Sequence, residues 1–308
     1  MKTVVLAGGT GGAKLAAGMQ RLIGEELTVI ANTGDDIETL GVHVSPDPDL
    51  VTYWLAGQID EERGWGIRDD TFTTFDRMTE LGAGGWFRLS DRDLAACLYR
   101  RDFLEAGGTQ TRAQAQIAAG LGVAATVLPM CDEPVRTRIR TPEGWRALQE
   151  FLIIDGATGT IEAVEIEGLA DARPTAEVCM ALREAEAIVI GPSNPVISIG
   201  PILALPGMRE QIAAATAPVI AVSPLIGGRA VKGPTEAFMK AVGRPRTAAG
   251  VASLYQGLLD GFVHDPGEPE PPAGLRTLVC ETLMAGEEGR AAVAERVLGF
   301  AGNLDSGK

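Results

Sequence analysis

Histidine is scarce: His43 and His264 are the two in 308 residues. Histidine-rich metal chemistry is therefore disfavoured, and acid–base work falls to carboxylates. Four cysteines, Cys97, Cys131, Cys179 and Cys280, stand far apart with no C-x-x-C pair. That spacing argues against a zinc site or a disulfide framework. Aromatic residues make up only 5%, while glycine and alanine abound, so close helix–sheet packing is expected rather than a large aromatic core. No apolar run reaches the roughly 18 residues of a transmembrane helix. The chain enters a strand after one lysine, without a signal-peptide layout, and a cytoplasmic location is expected. Positive charge is in deficit: 27 Lys and Arg against 41 Asp and Glu give a net charge of −14. Such a surface repels nucleic acid and anionic membranes, so neither is expected as a partner. A phosphorylated substrate would need a local positive site.

What is present is a pattern of strands and helices in a chain long enough for one large domain or two modest ones. Residues 3–7 read as a buried strand, 13–23 as a helix and 27–31 as a second strand, the spacing of a right-handed parallel unit. Helices are predicted over 48–58, 70–81, 91–105 and 110–120, with acidic or Thr starts and Gly stops. Together they suggest a helical cap or subdomain at about 48–120. Short strands are predicted at 123–129, 135–140, 150–154 and 160–167, then a helix at 174–184 and strands at 187–190 and 218–222. Residues 186–265 should complete a parallel sheet. The proline-rich stretch 265–272 reads as a stiff surface linker. A C-terminal helical tail over about 275–308 follows, with its helix at 287–300 and frayed residues 303–308. The whole, 1–308, is read as a single α/β domain.

Seven segments carry chemistry. The first is Gly8-Gly9-Thr10-Gly11-Gly12-Ala13-Lys14, after the first strand. It is no Walker A loop, because Leu15 follows Lys14, and no G-x-G-x-x-G, because Lys14 stands at the third glycine. It remains a tight turn that lets another group approach the backbone at a helix N-terminus, where an anion is favoured. Packing alone needs fewer glycines. Lys14 adds a cation there or is simply solvated. Asn32-Thr33-Gly34-Asp35-Asp36 ends the second strand, on the edge where open α/β sheets bind ligands. Asp35 and Asp36 can hold Mg²⁺ there or cap a helix. Ser45-Pro46-Asp47-Pro48-Asp49 either aims two carboxylates along a rigid loop or starts a helix. Trp65-Gly66-Ile67-Arg68-Asp69-Asp70 and Trp86-Phe87-Arg88-Leu89-Ser90-Asp91-Arg92-Asp93 put aromatic rings beside Arg and Asp, as a planar ligand with polar edges would want. A helix N-cap at Ser90 explains part of the second run. Gly191-Pro192-Ser193-Asn194-Pro195 is a preset polar loop at a strand end. Further on, Gly227-Gly228-Arg229 and Lys232-Gly233-Pro234 offer N–H groups and two cations to a diphosphate.

The order of these motifs resembles the 2-phospho-L-lactate transferase family of coenzyme F420 biosynthesis. Besides the glycine loop, the Asn-Thr-Gly-Asp-Asp run and Ser-Pro-Asp-x-Asp, the resemblance rests on Trp65-Gly66, Asp91-Arg92-Asp93, Leu128-Pro129-Met130, Gly191–Pro195, Ser198-Ile199, Ser223-Pro224 and Gly233-Pro234. It runs from about residue 1 to 265. Departures are Ala13, Pro48 and Ser90, where family members often carry Pro, Leu and Gly; none removes a reactive group.

The resemblance implies a Rossmann-like parallel core and Mg²⁺ as cofactor. It implies transfer of a phospholactyl or phosphoenolpyruvyl group from a guanosine diphosphate adduct to the ribityl hydroxyl of 7,8-didemethyl-8-hydroxy-5-deazariboflavin, releasing GMP. Asp49 and Arg88 would bind the deazaflavin. Gly8, Gly9, Thr10, Gly11 and Lys14 would cradle the guanylyl donor with Gly191, Pro192, Ser193 and Asn194. Arg229 and Lys232 would steady the leaving phosphate. Asp35 and Asp36 would hold the metal, and Asp49 or Asp47 would orient the hydroxyl and accept its proton. A homodimer is the expectation from base rates. Two rival readings are a non-catalytic sugar-nucleotide-binding regulator, whose relatives carry an Asp-Asp-Gly-Gly-Ser type run where this chain has Ile37-Glu38, and an NAD(P)-dependent oxidoreductase, opposed by the failed dinucleotide fingerprint.

Overall fold

The computed structural model describes residues 1–83, 85–230, 233–268 and 274–304. Its centre is a seven-stranded parallel sheet: β1 (Thr3–Ala7), β2 (Leu27–Ala31), β3 (Thr126–Pro129), β4 (Ala187–Ile190), β5 (Val219–Val222), β6 (Gly261–His264) and β7 (Arg276–Val279). The spatial order is β7-β6-β5-β4-β1-β2-β3. Burial explains the near-continuous apolar runs of the inner strands. Val4 and Leu6 enter the core on one face of the sheet, while Val5 and Ala7 enter the core on the other. A strand covered on both faces has no polar side to show. Among the described residues no helix is long and apolar enough to cross a membrane.

On one face lie α1 (Gly9–Ile23), α2 (Pro46–Leu55) and the C-terminal helix Gly286–Gly302. Gly18 of α1 permits this contact: a Cβ there would stand 2.3 Å from the carbonyl oxygen of Arg290. The helices α3 (Thr73–Glu80), α4 (Asp91–Glu105) and α5 (Gln110–Gly120) follow α2. The hairpin Ile37–Thr39 with Val42–Val44 lies against this region. A three-stranded antiparallel sheet, with Arg136–Thr141 between Gly144–Ala147 and Ala163–Glu167, flanks the core.

Several expectations change. Helix α1 begins at Gly9 rather than at residue 13, so the glycine cluster is itself the first helical turn. The segment expected as a strand at 150–154 is the helix Leu148–Ile153, started by the Glu150 carboxylate accepting the Ala147 N–H at 3.1 Å. A short apolar run does not separate strand from helix. The parallel sheet closes beyond residue 265, because β7 comes from the segment expected as a helical tail. Asp265 and Glu268 are buried, not on a surface linker: Glu268 accepts the Ser223 hydroxyl at 2.7 Å, and Asp265 accepts the Gly227 N–H at 3.1 Å. Pro266 and Gly267 between them are exposed; residues 269–272 of that linker and the end of the tail, 305–308, lie outside the described residues. Ser90 precedes α4 but makes no side-chain cap. Asp70 caps instead, accepting the Arg92 N–H at 2.9 Å, while Asp91 returns the favour to α3 through the Thr74 N–H at 2.9 Å.

Backbone approach is very close where α1 starts. A Cβ on Gly11 would lie 2.0 Å from the carbonyl oxygen of Pro192. Gly11→Ala should therefore destabilise the fold by about 1–3 kcal/mol despite alanine's better helix propensity, read as a lower urea midpoint with an unchanged slope.

Candidate functional site

The strand order reverses between β1 and β4: β2 and β3 lie to one side, and β4 to β7 to the other. Loops leaving two such strands diverge and open a crevice at their carboxyl ends. Here the glycine loop and the 191–194 loop face each other, tied by the Gly8 N–H donating to Ser193 Oγ at 3.1 Å. A cavity of about 710 Å³ opens over them. Its lining includes Gly8–Gly11, Pro192–Asn194 and Ser198, together with Trp65, Trp86, Phe87 and Leu89.

Buried carboxylates line it as well. Pro46 at the first turn of α2 sets the direction of the helix, so Asp47 faces the glycine loop. Its carboxylate accepts the Gly9 N–H and, at 2.9 Å, the Asn32 amide. The same amide reaches Asp35 Oδ1 at 3.5 Å, and Gln149 reaches Asp35 Oδ2 at 3.1 Å. Burial pushes the Asp47 carboxyl up to about 6, against the pull of the Asn32 and Gly9 hydrogen bonds. Burial, then the negative charges of Asp47 and Asp36, push Asp35 well above the carboxylate range. Neither has a cationic partner among the described residues. Asp49 does. Arg100, fully buried on α4, grips both its oxygens, one at 3.0 Å, and Gln114 Oε1 accepts from the same guanidinium at 3.0 Å.

The expected site residues divide. Gly8, Gly9, Thr10, Gly11, Lys14, Asp35, Asp47, Asp49, Arg88, Pro192, Ser193 and Asn194 all line the cavity. Asp36 does not: Ser45 at 2.7 Å, His43 at 2.9 Å and Gln110 at 2.7 Å take up its oxygens, and it ties the 37–44 hairpin to α5. Gly191 is a packing residue, its N–H donating to Leu6 O at 2.9 Å. Arg229 is exposed on the hairpin Leu225–Ile226 with Arg229–Ala230 and does not itself line the cavity, although its cross-strand partner Ile226 does. Lys232 lies outside the described residues. The Lys14 ammonium sits 5.4 Å from the Trp54 ring centre. The Arg88 guanidinium lies 4.1 Å over Phe72 at the half-exposed mouth, 3.7 Å from Asp76.

A family model described as 2-phospho-L-lactate transferase CofD matches residues 3–277. The chain belongs to this family. It is 39% identical to the 2-phospho-L-lactate transferase of Methanosarcina acetivorans, over 96% of this chain and 98% of that one. It is 40% identical to the phosphoenolpyruvate transferase of Kitasatospora aureofaciens, over the full length of both. Among solved structures, a UPF0052 family member from Bacillus halodurans superposes with a TM-score of 0.63 at 19% identity, covering 96% of this chain and 98% of that one. That likeness concerns the fold alone.

Residues that sequence reasoning gave no role hold this family member's site together. Asn32 and Gln149 brace Asp47 and Asp35, and Arg100 braces Asp49. Arg100 left one signal: Asp93, Leu94, Cys97 and Arg100 recur at helical spacing, and all four are buried. A charged residue at each end of a core stripe implies a polar contact inside. Gln149 left none, because its segment read as a strand.

Arg100→Met should strand the Asp49 charge and cost about 3–5 kcal/mol, measured by urea unfolding. The second expected outcome concerns pH. His43 donates between Asp36 at 2.9 Å and Glu38 at 2.6 Å. Burial opposes its charge, but those two hydrogen bonds and charges outweigh it and lift the imidazole from 6.5 to about 9. A raised folded-state value means the contribution is full below 6.5 and is lost as pH rises through 9. The melting temperature should therefore fall over that window, and His43→Gln should flatten the fall.

Proposed function

We propose that this chain transfers a phospholactyl or phosphoenolpyruvyl group from a guanosine diphosphate adduct to the terminal ribityl hydroxyl of a deazaflavin, releasing GMP. One observation carries the reading. A single cavity is lined by a glycine-rich helix start, by aromatic residues with Arg88, and by buried carboxylates. Those are the groups that a diphosphate, a planar ring and a hydroxyl chain would each need. Relatives named for either three-carbon acid match at 39% and 40%, so the proposal covers both donors.

The glycine end already holds an anion, because Asp47 takes the Gly9 N–H. A diphosphate beside that carboxylate needs a cation. Asp47 and Asp35, hard oxygen donors braced by one amide and without a cationic partner among the described residues, fit Mg²⁺. They would hold it in place of the expected pair Asp35 and Asp36. When bound, the metal supplies charge neutralisation on the diphosphate.

The protein's own part is positioning, which is most of what phosphoryl-type transfer asks. The Thr10 and Gly11 N–H groups, unpaired within the first turn of α1, face the donor's phosphate oxygens, and Lys14 adds charge. Asp49 keeps a lone pair on each oxygen beyond those Arg100 uses, so it can accept a hydrogen bond from the ribityl hydroxyl and align it. Burial raises its carboxyl above the usual carboxylate range even against the pull of Arg100, so it can also take up the hydroxyl proton. In a loose transition state that proton leaves late and needs no strong base.

Deazaflavin, Mg²⁺ and each candidate adduct, incubated with the folded enzyme, should yield GMP and a phosphodiester product identified by mass spectrometry. No GMP from any adduct would sink the reading. Asp47→Asn should cut turnover by about a hundredfold or more and raise the Mg²⁺ concentration for half-maximal rate.

A further inference from the structure

Four carboxylates line the cavity among the described residues, and Asp93 is the one without a role so far. It sits in the first turn of α4, just after the aromatic stretch Trp86–Leu89 that lines the same cavity. Its side chain is more than nine-tenths buried, at 8% exposure for the residue. Oδ1 accepts the Tyr53 hydroxyl at 2.8 Å. No hydrogen bond reaches Oδ2 among the described residues. A buried carboxylate with one oxygen engaged and the other unpartnered carries a desolvation cost that a ligand donor would offset.

The neighbours decide what that donor is. Facing Asp93 are Asp49 and Tyr53 from α2, Cys97 and Arg100 from α4, and Asp70 from the segment before α3. Arg100 is committed to Asp49. Asp47 and Asp35 serve the glycine end, and Arg88 lies over Phe72 at the mouth. Asp93 is thus a buried hydrogen-bonding group in the cavity that Trp65, Trp86 and Phe87 also line, and it has no other task. Burial and the Asp49 charge push its carboxyl up to about 7, as expected of a group waiting for a polar partner.

We propose that Asp93 reads the polar edge of the planar acceptor by accepting a hydrogen bond from a ring N–H, with Tyr53 as the positioning residue that fixes the carboxylate. This rests on the deazaflavin acceptor proposed above, whose pyrimidinedione ring carries such an N–H. Asp93 sets acceptor recognition and leaves the donor untouched.

The test is deazaflavin affinity, followed by fluorescence quenching without turnover, in wild type, Asp93→Asn, Asp93→Ala and Tyr53→Phe, each checked for folding by thermal melting. In Asp93→Asn the Tyr53 hydroxyl keeps the amide oxygen, so the NH₂ group meets the ring N–H, donor against donor. Acceptor Kd should rise about tenfold or more, while the KM for the guanosine adduct stays within about twofold. Asp93→Ala should show the same split, and Tyr53→Phe a smaller one. Should the alanine variant fail to fold, the isosteric Asp93→Asn decides. Unchanged acceptor Kd in Asp93→Asn, or equal losses for acceptor and donor, would overturn the inference while wild-type turnover left the transferase reading standing. A wild type that neither binds deazaflavin nor releases GMP would overturn both.

Discussion

The site depends on how closely two loops approach at the point where the sheet changes direction. Gly8 donates to Ser193, and Gly11 leaves no room for a Cβ against the Pro192 carbonyl. A Cβ on Gly12 would meet Ser193 Oγ at 2.4 Å. The glycines are therefore spent first on bringing β1 and β4 together. The Thr10 and Gly11 N–H groups left at the start of α1 follow from that approach. Packing and anion binding are one requirement here, because the turn tight enough to join the strands is also the turn with bare backbone toward the crevice.

A second constraint is charge. A chain with net charge −14 gathers Asp35, Asp36, Asp47, Asp49 and Asp93 beneath one cavity. Like charges in a dry interior cannot all stay ionised without help. The help is distributed. Arg100 answers Asp49, His43 answers Asp36, and amides answer Asp35 and Asp47. What remains unanswered faces the cavity. The residues that brace carboxylates from behind thereby decide which of them are free for a ligand.

Much of the architecture was legible in the sequence. Apolar runs at 3–7, 27–31, 187–190 and 218–222 gave the inner strands, because a parallel sheet covered on both faces demands them. Helices α4 and α5 fell within their predicted limits, bounded by Asp91 and by Thr109, whose side chain caps α5. The failures have physical causes. Leu148–Ile153 is too short an apolar run to declare its period, and β7 at the sheet edge alternates too weakly to stand out. The glycine loop, Asp47 and Asp49 were visible as motifs because their backbone demands are local. Arg100 and Gln149 were not visible as site residues, because their partners lie 51 and 114 positions away.

The sequence by itself determined the parallel α/β class, the glycine turn and the acidic loops, since each follows from periodicity or from backbone sterics within a few residues. It also carried the ordered motifs that mark the family. Tertiary structure alone decided the division of labour among the aspartates. Asp35 and Asp36 are adjacent in the chain, yet one faces the cavity and the other is locked behind it by Ser45, His43 and Gln110. Neighbouring residues share a backbone but not an environment. The freedom of a carboxylate depends on donors brought to it by folding, and no local pattern records them.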